Sequence, residues 1–153
     1  MPDDFHVRFG DMLAAGLPIT LDAADKHLSF VASPLPYDSL ADLITALITV
    51  LVADSVQIAI RWNTEPVEYE FQFSLKHGTI LLRIEQFPDT TRQHITGQFA
   101  FTAHGSREAI VLPFWRALRN IESKDHAIWQ QYHPFPTKDL RNLDQHIQRL
   151  KHQ

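Results

Sequence analysis

Val56-Gln57-Ile58-Ala59-Ile60-Arg61-Trp62-Asn63, Glu68-Tyr69-Glu70-Phe71-Gln72-Phe73-Ser74-Leu75 and Thr79-Ile80-Leu81-Leu82-Arg83-Ile84-Glu85 follow one another closely, and along each stretch apolar and polar side chains alternate. Side chains of an extended chain point to opposite faces in turn, so this period of two marks strands with one greasy and one wet face. The connections Thr64-Glu65-Pro66 and His77-Gly78 are too short for a crossover, and the strands must run antiparallel as a meander. A polar loop from Pro88 to Thr96 leads to a further strand, Gly97–Ala103, with Phe99 and Phe101 on its apolar side.

A greasy sheet face must be covered, and the flanking sequence supplies the cover. Upstream, Pro34 and Pro36 end an extended run, Asp38 or Ser39 offers a helix N-cap, and Asp42 falls in the first turn. Leu40, Leu43, Ile44, Leu47, Val50 and Leu51 then recur at helical spacing, with Ile48 and Val52 widening the apolar arc. Downstream, a second helix spans about residues 106–122, with Ile110, Phe114, Trp115, Leu118 and Ile121 as its apolar face and Pro113 inside it. Proline lacks the amide donor, which predicts either a kink or a helix beginning near Pro113. Tyr132-His133-Pro134-Phe135-Pro136 is held extended by its prolines. Thr137 caps a last helix whose Leu140, Leu143, Ile147 and Leu150 form a narrow stripe suited to lying on a surface.

Before the first helix, Phe5–Phe9 and Lys26–Ala32 read as strands around a short Ile19–Leu21 segment set in turn material, with their order left open. The chain therefore reads as one α+β domain over residues 1–153, an antiparallel meander sheet with helices packed mainly on one face. Its expected core holds Leu43, Leu47, Ile58, Ile60, Phe71, Phe73, Leu82, Phe99 and Phe101. No repeat or Gly/Ser linker suggests a boundary.

Composition narrows the function classes. There is no cysteine, which excludes disulfides, thiol nucleophiles and cysteine-ligated zinc and predicts a reducing, cytoplasmic setting. The acidic start Met1-Pro2-Asp3-Asp4 shows no basic region followed by an apolar one, so no secretory signal is expected. The longest apolar stretch, Leu40–Ala53, is too short for a bilayer span, and no membrane partner is expected. Residues 1–104 carry 6 basic and 13 acidic side chains, a balance of −7, whereas residues 105–153 carry 8 and 5, a balance of +3. A nucleic-acid binder shows a basic excess over the domain, so the acidic part points instead to a basic protein partner.

Catalytic patterns are weak. Nine histidines would suit a metal only if paired three or four apart on a helix face, and none has that spacing. His104-Gly105-Ser106 lacks the G-x-S-x-G elbow, and Ser106 reads as an N-cap. No phosphate-binding glycine motif occurs. Phe114, Trp115, Arg116 and Arg119 interleave aromatic and basic residues, but the aromatics are needed for the helix's apolar face. The remaining polar candidates are Glu65, Glu68, Glu70, Arg83 and Glu85 on the wet phase or turns of the strands, and Tyr132 and His133 in the proline-rich segment. Paired carboxylates can work as acid and base, yet a wet sheet face carries charges without any function.

Leu40-Ala41-Asp42-Leu43, Glu65-Pro66-Val67-Glu68-Tyr69 and the later Tyr132-His133-Pro134-Phe135-Pro136 followed by Leu140 and Leu143 give the chain an order of features that resembles an uncharacterised bacterial family. Small proteins of similar appearance accompany bacterial toxins as immunity partners; the resemblance implies a binding role and assigns no catalytic residue. Three readings follow: a non-enzymatic protein-binding domain, of the immunity type, presenting the acidic sheet face or its rim; a small enzyme or ligand-binding domain with a pocket between the sheet and Tyr132–Pro136, using His104, His133, Glu65 or Glu68; and a homo-oligomer assembled through the last helix. None calls for a cofactor or a metal.

Overall fold

The structure is a computed structural model that describes residues 4–89 and 96–152. It is an α+β fold, with two antiparallel sheets and four helices among the described residues. The first sheet holds β1 (Phe5–Phe9), β2 (Leu17–Ala23) and β3 (Lys26–Ala32) in chain order. Helix α1 (Ser39–Val52) leads to the second sheet, β4 (Val56–Asn63), β5 (Glu68–Lys76), β6 (Thr79–Phe87) and β7 (Gln98–Ser106), also in chain order. Then come α2 (Arg107–Glu122), the short α3 (Ala127–Gln130) and α4 (Thr137–Lys151). The start Met1–Asp3 and most of the polar loop from Pro88 to Thr96 lie outside the described residues.

The meander stands as its alternation requires, with Ile60, Phe71 and Ile84 in one cross-strand row and Ile58, Phe73 and Leu82 in the next. A tight turn with His77 at φ 53° and Gly78 at φ 76° joins β5 to β6, the left-handed pair that a two-residue hairpin needs. Phe99 departs from expectation. Ile84 pairs with Phe101 but Glu85 pairs with Phe99, leaving Ala100 as an extra residue in β7. Such a bulge reverses the facing of everything beyond it. Phe101 is buried, while Phe99 is 54% exposed on the outer face, its ring under the Arg83 guanidinium at 5.0 Å.

The segment around Ile19 is a full central strand and not a short piece amid turns. Pro18 is tolerated near its start because its carbonyl, accepting from Gly10 N at 2.8 Å, makes the bond there. Leu17, Ile19 and Leu21 point with Phe5, Phe9 and Phe30 into the same core as the second sheet's inner face. Phe30 joins the layers, stacked on Tyr69 with ring centroids 4.5 Å apart and edge-on to Trp62 and Phe71.

The helices close this core. α1 lies on β4, and α2 packs on β1 and β7. α2 is capped by Ser106, whose hydroxyl accepts from Ala109 N at 3.1 Å, and it runs through Pro113 rather than beginning there. Of the two candidates for the α1 cap, Asp38 holds the position, without a side-chain cap bond, while Ser39 donates to Arg61 O at 2.5 Å; Thr137 is the first residue of α4, after Pro136 at the cap position. Leu140, Leu143 and Ile147 are buried where α4 packs on α1 and α2. Asp144 ties α4 to α2, accepting from Trp115 Nε1 at 2.8 Å and from Arg119 at 3.1 Å. Phe114, Trp115 and Arg119 of the basic-aromatic run are thus engaged within the chain. No helix among the described residues is long and apolar enough to cross a membrane.

Candidate functional site

The β4–β5 connection organises one end of the molecule. Thr64 N and Oγ1 both donate to Val67 O at 2.7 Å, closing the turn. Asn63, almost fully buried, donates through Nδ2 to Leu35 O at 2.7 Å, while its Oδ1 accepts from Glu65 N at 3.0 Å. Ser33 N donates to Asn63 O at 2.7 Å. These bonds fasten the Ser33–Asp38 segment to the hairpin end and hold Glu65 at φ 50°, a left-handed conformation that costs a non-glycine residue about 1–2 kcal/mol.

Beside this turn lies an open groove of about 620 Å³, lined by Val31, Leu35, Glu65, Ile128, Gln131 and Tyr132 among others. One wall is the Ala14–Ala15 tip of a tight loop in which Leu13 and Gly16 exchange two backbone bonds of 2.9 Å. Gly16, at φ 132°, admits no side chain, since a Cβ there would lie 2.0 Å from Ala32 O. The opposite wall is Ile128, Gln131 and Tyr132, fixed behind by His133, whose Nε2 lies 2.7 Å from Pro34 O. Val31 is 38% exposed, Leu35 40% and Tyr132 51%. Three of the large apolar side chains left in water therefore meet in one concavity.

Seven candidate residues fall into three places. Glu65 and Tyr132 line the groove, with His133 behind its wall. Glu70, Arg83 and Glu85 lie on the outer sheet face, where Gln72 donates to Glu85 at 2.6 Å and Arg83 Nε stands 4.0 Å from Glu85.

Glu68 corrects the expectation of a solvated carboxylate, for it has no exposed surface. It shares the face of Glu70, but Tyr37 folds over it and donates its hydroxyl to Oε2 at 2.5 Å, while Arg61 Nε stands 3.9 Å from Oε1. Burial first, and then this bond to Glu68, raise the Tyr37 phenol above its ordinary value of 10.0. Contact with the Tyr37 hydroxyl is the largest cause holding Arg61 above its own.

His104 does not join this end. It pairs with Leu81, which pairs with Ser74, six residues along β5 from Glu68, or roughly 20 Å at about 3.3 Å per residue. On the outer face Arg61, Arg83 and Lys76 are set against Glu68, Glu70 and Glu85, so its described charges balance. No three His, Asp or Glu side chains among the described residues are grouped to hold a metal.

The residues that sequence reading missed are Val31, Leu35, Gln131 and Tyr37. Val31 carried a signal, because it occupies the wet phase of β3 opposite Leu28 and Phe30. Comparison of the chain with known protein families, curated proteins and solved structures gives no match.

Proposed function

We propose that the chain is a non-enzymatic protein-binding domain, of the kind that serves as an immunity-type inhibitor, and that it recognises its partner through the groove between Leu35 and Tyr132. The observation that carries this reading is the gathering of Val31, Leu35 and Tyr132, all well exposed, around one concave site. Contiguous exposed apolar surface costs solubility and marks interaction sites, and aromatic side chains in pockets dominate interface energetics. The groove is favoured over the outer sheet face because that face's described charges are balanced and Glu68 is buried, leaving no acidic surplus to attract a basic partner. The α4 stripe is spent on α1 and α2, which argues against self-association through it.

A second reading takes the groove as a small-ligand site, supported by its volume of about 620 Å³, within the range of ligand pockets. The test is co-purification of a tagged chain from its native host. The groove variant Leu35→Asp with Tyr132→Ala should lose its protein partner, and the face variant Leu81→Asp with Phe99→Ser should keep it. The reverse pattern would move the partner to the sheet face. A bound small molecule in native mass spectra, with no protein retained, would favour the second reading.

A further inference from the structure

We infer that the groove takes a lysine or arginine side chain of an extended partner segment, its cationic head against Glu65 and the Tyr132 ring and its aliphatic stem along Val31 and Leu35. This rests on the protein-binding reading and deepens it. Glu65 is the one charged residue among the described residues that line the groove. No basic side chain among them pairs with it; the bond its side chain makes is from Ser33 Oγ to Oε1 at 3.5 Å, long and weak.

The chemistry of the occupant follows from what covering this carboxylate would do. An apolar segment seated on Val31, Leu35 and Tyr132 would strip water from Glu65 and leave a charge without a partner, which opposes binding. An acidic segment adds repulsion. A cation restores the lost solvation by charge-assisted bonding, and a lysine or arginine stem is itself apolar enough to lie on the groove walls. The exposed Tyr132 ring adds a face to which a cation is drawn, more so for a planar guanidinium. The backbone supports the same placement: the hairpin holds Glu65 at φ 50° through the bond from Glu65 N to Asn63, so the carboxylate is mounted on a rigid turn rather than a loose loop.

The test uses blocked pentapeptides, acetyl-Ala-Leu-Xaa-Leu-Ala-amide, with arginine, lysine, norleucine or glutamate as Xaa, titrated into the isotope-labelled full chain and followed by amide shifts. Arginine and lysine peptides should shift Thr64, Glu65, Gln131 and Tyr132 saturably and bind about three- to fivefold more tightly than norleucine, the factor that one exposed ion pair of up to about 1 kcal/mol supplies. Glu65→Gln, a shape-preserving change at an exposed site, should erase that preference. Raising salt from about 0.1 to 1 M should weaken the arginine peptide and not the norleucine one. Equal binding of arginine and norleucine, an unchanged preference in Glu65→Gln, or no saturable shift with any peptide would overturn the inference. A host protein that still depends on the groove in co-purification would, in those cases, leave the protein-binding reading standing without the cation.

Discussion

Replacing Tyr37 by phenylalanine removes one oxygen and tests whether Glu68 is a structural carboxylate. Glu68 has no exposed surface, and the Tyr37 hydroxyl reaches Oε2 at 2.5 Å. Because its ionisation is pushed above the ordinary 10.0, the phenol stays a donor throughout the usable pH range. A hydrogen bond to a charged group contributes about 1.5–3 kcal/mol, and the acceptor cannot turn to water once the donor is gone. Tyr37→Phe keeps the ring and its packing, so about 2 kcal/mol should be lost. For a chain of this size that is a fall in Tm of about 4–8 °C. Urea unfolding should show a lower midpoint with an unchanged slope. Combined with Glu68→Gln, the two losses should fall short of additivity by at least about 1 kcal/mol. A single variant melting within about 1 °C of the parent, or strictly additive losses, would refute the buried pair.

Phe71, fully buried with Trp62 and Phe114 rings at 5.7 and 6.2 Å, should cost about 3–5 kcal/mol on change to alanine, read as a large drop in the urea midpoint. Phe99→Ser should change stability by less than about 0.5 kcal/mol by the same assay, because the bulge at Ala100 turns Phe99 outward. Glu70→Lys should fold normally whereas Glu68→Lys should not, since the latter buries a cation beside Arg61; circular dichroism of the two purified variants checks this.

The greasy face of the meander was legible because period two needs only one strand's side chains to be read. Phe71, Phe73 and Leu82 landed in the core for that reason. The same rule failed at Phe99, since one extra residue in β7 is an inter-strand event that no single strand's pattern records. Glu68 was misread in a related way. Its phase is polar and its face correct, but the lid over it is Tyr37, thirty-one residues away and anchored by bonds from Asn63 and Ser39. The groove was half visible: Glu65 and Tyr132 stand out as polar groups in proline-containing segments, while no local pattern marks Leu35 between Pro34 and Pro36. Its exposure is set by Asn63 gripping its carbonyl, a long-range contact. β2 was shortened in reading because Gly16 and Pro18 signal turns locally, although here they admit a close approach to Ala32 and begin a central strand.

The most direct test of groove recognition is photo-crosslinking in the native host, with a photoreactive phenylalanine analogue placed in turn at position 132 in the groove and at position 81 on the outer sheet face. Groove recognition predicts a discrete protein adduct from position 132, diminished by Leu35→Asp, and none from position 81. An adduct from position 81 alone, or none from either position, would contradict it.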